Sequence, residues 1–435
     1  MSQARKVILI HSFIHNNVSQ ISFSNHTLHS INKGRKEYTN NEKVSTNTNA
    51  IGEEKEEEEE YNEDDDDYVS EDDLQEEDGD DSDEEEDIID DDILFNRKLP
   101  RSGEYVKWQL CDDVRSTNYH YAGYKEPRLL NYVDWDTITP YDIFHMQLPV
   151  GEIQLWVSLT NLNLRRARKE ATNTTEMKLF LGCMMACTQS SKIGGITKAF
   201  SKEFDGLFPA ADLGRFGLKL RRFQTLMKYW EFADSTAPNV NLDDPYWRTE
   251  QFFDRFNNRY KSFLSHGQYV NVDERVFWCY ARAQPEGIKS IGRKPKGTGQ
   301  ECKTMSCVGV NVTTTFEHVR AKNTVVSREY TREYGAAAAV VLRLCVKAGI
   351  EGTNRIVIAD SWFANMSLLK GLRLKGLHLL GQIKQGDGGF PRVGLCKELD
   401  KEENRPRGSY AVATATYENE KVIALAWKGK LLFNN

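Results

Sequence analysis

Asp273 and Asp360 are the residues of this chain whose type and setting could do chemistry. The first ends the β-branched run of QYVNVDERVF, the second that of NRIVIADSWF. A strand that runs into an acid delivers a carboxylate to the C-terminal edge of a sheet. Two carboxylates side by side at that edge can hold Mg2+, and pairs of such ions drive phosphoryl transfer on nucleic-acid backbones. Glu274 follows Asp273 on the same strand, so the pleat predicts that its side chain faces away and that it is no ligand. The plainer alternative is that each aspartate only caps the turn or helix that follows it.

The elements needed to position these acids can be read from the hydrophobic periodicity. Strands are expected at 268–278, 304–312 and 318–327, then a helix at 335–349 closed by Gly349. A strand at 355–361, a helix at 366–376 and a strand at 377–384 follow. This is a mixed α/β pattern with the aspartates on its first and fourth strands. Upstream, EMKLFLGCMMAC (176–187) is apolar on most sides and predicts a buried helix. RFGLKLRRFQTLMKYWEF (215–232) predicts an amphipathic helix with a stripe of Phe216, Leu220, Phe223, Met227 and Tyr229/Trp230. A third helix is expected over 244–264, with Asp244 as N-cap and Pro245 at its first position. Downstream, GDGG (386–389) marks a loop and 397–408 a charged linker. A hairpin of 409–417 and 421–428 closes the pattern through Glu418-Asn419-Glu420.

Charge divides the chain. Of 57 basic and 65 acidic residues, 28 acids and the single base Lys55 lie within 53–92, which leaves 56 basic against 37 acidic residues elsewhere, a balance of +19. So acidic a run cannot bury enough apolar surface to offset its ordering entropy, and disorder is expected over 1–95. It reads as a solubilising tail or as an intramolecular cover for the basic body. That body favours salt-sensitive, sequence-independent contact with phosphates. Clusters lie at Arg165, Arg166, Arg168 and Lys169, at Arg221 and Arg222, and at Lys289, Arg293, Lys294, Lys296 and Lys303. The last, with Arg221 and Arg222, is the candidate DNA-binding set, although a solvated face explains any one cluster equally well. Trp278 and Tyr280 could stack on bases or pack in the core. Eight scattered cysteines include no paired CxxC set, so no zinc site is expected and the thiols should be reduced and mostly buried. VILI (7–10) is too short for a signal-peptide core, and no stretch suggests a membrane span.

VDERVFWCYAR, RKPKGTGQECKT and IVIADSWFANMSLLKGL resemble, in that order, three segments of piggyBac-type transposases. They correspond to the segment of the first catalytic aspartate, a Lys-Pro-rich stretch ending in Gly-x-Lys, and the segment of the second aspartate. TEMKLFLGCMM and RFQTLMKYWEFAD resemble that family's upstream helical domain, and VIALAWKGK the strand before its third aspartate. The resemblance covers roughly 140–430. Two positions depart from it: Ala281 stands for the usual Gly and Ser361 for the usual Asn.

The resemblance implies an incomplete ribonuclease-H-like mixed sheet with flanking helices (267–386). A mainly helical, DNA-binding-like domain (96–266) precedes it, and a partial insertion region with the hairpin (387–435) follows. It also implies that Asp273 and Asp360 are catalytic metal ligands for Mg2+ or Mn2+, that the partner is DNA, that the protein is nuclear, and a homodimer. The implied activity is cut-and-paste DNA transposition. The sequence stops at Asn435, before any segment matching the family's third catalytic aspartate, so impaired catalysis is expected. A non-catalytic DNA- or chromatin-binding protein and a decayed transposon fragment are the alternatives.

Overall fold

The computed structural model describes residues 5–10, 95–99, 103–111, 125–130, 134, 136–189, 195–202, 211–238, 240–244, 246–278, 288–290, 298–319, 329–384, 389–401 and 406–428. They form a mixed α/β protein with two compact units: Tyr124–Lys384, and Met1–Gly123 together with Gln385–Asn435. The acidic run lies outside the described residues.

In chain order, the strands before the helices are β1 (Arg5–Ile10), β2 (Asn96–Lys98), β3 (Tyr105–Lys107), β4 (Gln109–Cys111) and β5 (Arg128–Leu129). The helical stretch holds α1 (Pro140–Gln147), α2 (Glu152–Arg166), α3 (Thr174–Gln189), α4 (Gly195–Ala199), α5 (Leu220–Tyr229) and α6 (Trp247–Phe263). Next come β6 (Leu264–Ser265), β7 (Tyr269–Trp278), β8 (Lys289–Ser290), β9 (Thr298–Cys307) and β10 (Val312–His318). Then follow α7 (Thr331–Tyr334), α8 (Ala336–Ala348), β11 (Ile356–Ala359), α9 (Met366–Leu374) and β12 (His378–Gln382). The chain ends on α10 (Arg392–Asp400), β13 (Tyr410–Tyr417) and β14 (Glu420–Lys428).

The sheet of the larger unit has the order β10-β9-β7-β11-β12, with β8 on β9. Its first three strands are an antiparallel meander, and β11 and β12 join β7 in parallel. The two parallel strands are linked through α9, whose N-cap is Asn365: its side chain accepts the Leu368 N–H at 2.8 Å. Asn365→Ala removes that acceptor, and a loss of about 1 kcal/mol in urea unfolding is expected. α8 is closed as anticipated by Gly349, at φ 67°. Arg355, buried at the start of β11, donates to the carbonyls of His266 and Gly267 and to the Ser265 hydroxyl. It thereby sets the level at which β11 meets β7.

The meander departs from the expected pattern. β9 starts at Thr298 rather than 304, and β10 occupies 312–318 rather than 318–327. GQECK, left out of the expected strand, carries Glu301 and Lys303. Both are buried, and they neutralise each other at 2.7 Å, so charge within a strand is satisfied inside the protein.

The helices pack around Trp156, Leu164, Met177, Phe180, Phe223 and Leu226. α3 is not buried all round as expected: it buries one face through Met177, Phe180 and Cys183, and Met185 is exposed. Of the stripe expected on α5, Leu220, Phe223, Tyr229 and Trp230 pack in this core, and Phe216 and Met227 do not. Gly217, at φ 101°, separates a single 3-10 turn (Leu213–Phe216) from the helix. Phe216 is therefore out of phase and 54% exposed, and Met227 is 44% exposed. Leu226, three residues beyond the expected Phe223, takes the buried place that Met227 was given. α6 starts later than anticipated, at Trp247, and Asp244 accepts the Tyr246 N–H before it.

In the other unit the antiparallel order is β1-β14-β13-β4. The VILI run, assigned to a disordered N-terminus, is thus a strand on β14. β13 and β14 form the expected hairpin with a two-residue turn, Glu418 and Asn419 at φ 52° and 61°, the left-handed pair of a type I′ turn. Part of the anticipated linker is helical instead: α10 buries Leu395 and Leu399, four residues apart.

Candidate active site

Parallel pairing brings the two aspartates together. Ala359, the last residue of β11, is level with Val272 of β7. Asp360 and Asp273, the next residues, therefore lie beside each other, about 4.8 Å apart between strands. Oxygens of Asp273, Glu274 and Asp360 all lie within 4.8 Å of one another, the one such metal-ligand group of three among the described residues. Glu274 corrects the expectation from the pleat. Strand alternation sets the direction of Cβ but not the reach of a three-bond side chain, and here the carboxylate joins its neighbours.

Asp360 makes the turn-capping contact that the plainer reading foresaw, whereas Asp273, inside β7, caps no turn or helix. Asp273 Oδ1 accepts the Glu274 N–H at 2.8 Å, and Asp360 Oδ1 accepts the Trp362 N–H at 2.9 Å. The Asp360 carbonyl accepts from Phe363 and Ala364 at 3.2 and 3.0 Å, so 360–364 is a tight turn. These contacts and ligation are compatible, because each occupies one oxygen of its carboxylate. Asp273 and Asp360 are exposed and Glu274 is partly so, which leaves the group open to a charged substrate.

The turn rests on β12 because Gly381, paired with Ala359, has no side chain. A Cβ there would stand 2.4 Å from the Ala364 Cβ. Gly381→Ala should cost about 2 kcal/mol in urea unfolding by overpacking and disturb the Asp360 turn.

The basic residues expected to meet phosphates fall into three groups. Arg221 is exposed on α5. Arg293, Lys294, Lys296 and Tyr280 lie outside the described residues, and for Lys289 and Trp278 only the backbone is described, on β8 and β7. Arg222 and Lys303 are corrections. Arg222 makes a two-pronged pair with Glu176 at 2.8 and 2.7 Å and donates to the carbonyls of Glu170 and Ala171. Its charge joins α5 to α3. Lys303, 5% exposed, is held by Glu301. Adjacency to a basic cluster hides such pairings from the sequence, because each partner is remote along the chain or on the same face of a strand.

Among the described residues no helix is long and apolar enough to cross a membrane. No curated protein matches the chain. Among solved structures it is similar to the cryo-EM structure of the piggyBac transposase synaptic complex with hairpin DNA, at 19% identity and a TM-score of 0.48, over 67% of this chain and 61% of that one. A weaker similarity is to the Mos1 transposase paired-end complex with left transposon end, at 14% identity and a TM-score of 0.16, over 53% and 78%. The chain thus spans less than two thirds of the piggyBac chain. The family model described as Transposase IS4, a DDE-type transposase model, matches residues 139–434, and the chain belongs to that family.

Proposed function

We propose that this protein acts on DNA by divalent-metal-dependent strand cleavage and joining, the chemistry of cut-and-paste transposition. The observation that carries this reading is the convergence of Asp273, Glu274 and Asp360 where the parallel pairing of β7 and β11 ends in a DDE-type transposase family. The donor set is three hard carboxylates with no sulfur or imidazole, which fits Mg2+ or Mn2+ rather than zinc. Asp273 and Asp360 would be the principal holders and Glu274 the third.

A bound ion would supply charge to activate the attacking oxygen and to stabilise the leaving one. The chain's part is placement. The β7–β11 register sets the carboxylates level, and the two backbone N–H contacts fix the rotation of each aspartate. Since one oxygen of each aspartate is so engaged, these three carboxylates serve one ion better than two, and slow cleavage is expected of this chain by itself.

Arg221, Lys289, Arg293, Lys294 and Lys296 are proposed to contact the DNA backbone. A homodimer and a nuclear location are proposed with the activity. The second reading, a non-catalytic DNA-binding protein, draws on the basic body alone, whose balance outside 53–92 is +19.

A nicking assay on supercoiled plasmid with 5′-labelled hairpin controls separates the two readings. Slow nicking with Mn2+ or Mg2+ that EDTA stops supports the first. DNA binding that weakens steeply with salt, without nicking under any divalent ion, supports the second. Lys294→Ala/Lys296→Ala should lower the salt slope of binding by about two phosphate contacts.

A further inference from the structure

Lys303, excluded from phosphate contact by its burial, faces the candidate site from the other side of β7. It is paired directly opposite Glu274. Its ammonium is 2.7 Å from the Glu301 carboxylate, 3.7 Å from the centroid of the Trp362 ring and 5.3 Å from that of Phe363. The two rings meet edge to face at 4.6 Å, and Phe363 is fully buried. Trp362 is the residue whose N–H holds Asp360 Oδ1. An unbroken path therefore runs from β9 through the Lys303 ammonium to the Trp362 ring, and from the Trp362 backbone to the Asp360 carboxylate.

A buried ion pair is a weak device for stability alone, since apolar side chains of similar volume do as well or better. What it adds is direction. An ammonium over an indole face attracts the ring at short range when water is excluded, and Glu301 keeps the ammonium in place. We propose that Lys303 is a positioning residue: it clamps the 360–364 turn against β9 and so sets the Asp360 carboxylate against Asp273. This rests on the proposed activity for its purpose, but not for its test.

The test uses the full chain, with Lys303→Met/Glu301→Gln, which removes both charges together and keeps the side-chain volumes, and with Lys303→Arg, which keeps the charge and the ring contact. Hydrogen exchange is read at the Trp362 and Ala364 amides, both bonded to Asp360, and Mn2+ affinity is read by electron paramagnetic resonance. In the double variant the two amides should exchange about tenfold faster while those of β7 and β11 hold, and Mn2+ should bind about tenfold more weakly. Lys303→Arg should stay within about threefold of the wild type in both. Unchanged exchange at 362 and 364 in the double variant overturns the clamp, as does faster exchange spread evenly over β7 and β11. A wild-type chain that binds no Mn2+ sinks the proposed activity instead, and the exchange data then decide the clamp on their own.

Discussion

Asp360→Asn should lower metal-dependent nicking about a thousandfold while leaving the unfolding midpoint nearly unchanged. Asparagine keeps an oxygen where Asp360 Oδ1 accepts the Trp362 N–H at 2.9 Å, so the 360–364 turn survives. What it loses is the negative charge and one ligand oxygen. A ligated ion contributes several kcal/mol of charge stabilisation to the transition state, and about 4 kcal/mol corresponds to that thousandfold. Asp273→Asn should behave alike, because its Oδ1 contact to the Glu274 N–H is also retained by an amide.

Glu274→Gln separates two roles. A loss of about tenfold marks an auxiliary carboxylate, whereas a loss as large as that of Asp360→Asn makes Glu274 a full ligand. The same variants titrated with Mn2+ report the ligand set even where turnover is slow. Nicking retained by Asp360→Asn at the wild-type rate would remove the active-site assignment.

The second large effect is the loss of stability in acid. Burial beside the positive charge of Arg355 pushes the His266 imidazole down to about 4, and burial with Arg373 does the same to His378. The contacts agree with neutral rings. His266 Nε2 lies 2.8 Å from the Thr314 hydroxyl, and His378 Nδ1 lies 3.3 Å from the Arg373 guanidinium, which can only donate.

Both folded values lie below the ordinary histidine value of 6.5, so the unfolded chain takes up protons that the folded one refuses. Stability is therefore full above pH 6.5 and falls as the pH drops toward 4, below which these two groups have no further effect. By pH 5 the loss is about 2 kcal/mol for His266 and somewhat less for the less enclosed His378. Urea unfolding at pH 7 and pH 5 measures it. His266→Gln, which can still bond Thr314, should flatten that limb by about half. Equal stability at the two pH values would mean that the rings are protonated in the fold or reached by water.

Asp273, Asp360 and their strands were legible in the sequence because a β-branched run that leads into an acid announces both its period and its chemistry, although β7 continues past Asp273 to Trp278. The closing Gly349, the 409–428 hairpin and the α/β alternation were legible for the same local reason: turn chemistry and side-chain period act over a few residues. The family was legible too, from short segments in order. What the sequence could not settle is which charges face outward. Lys303 and Arg222 sit in basic surroundings and look like phosphate ligands, yet Glu301 holds Lys303 inside and Glu176 engages the half-buried Arg222. A pairing of that kind exists only once strands and helices have come together. Glu274 taught the converse, since strand period alone turned it away while the fold brought its carboxylate to the others. Local periodicity thus determined the two aspartates, their strands and the helices and hairpin around them, but not the bounds of β9 and β10 or the presence of β1 and α10. Only tertiary packing decided which carboxylates converge and which cations are neutralised, because strand register gathers the first against their mutual repulsion and burial pairs the second with opposite charge.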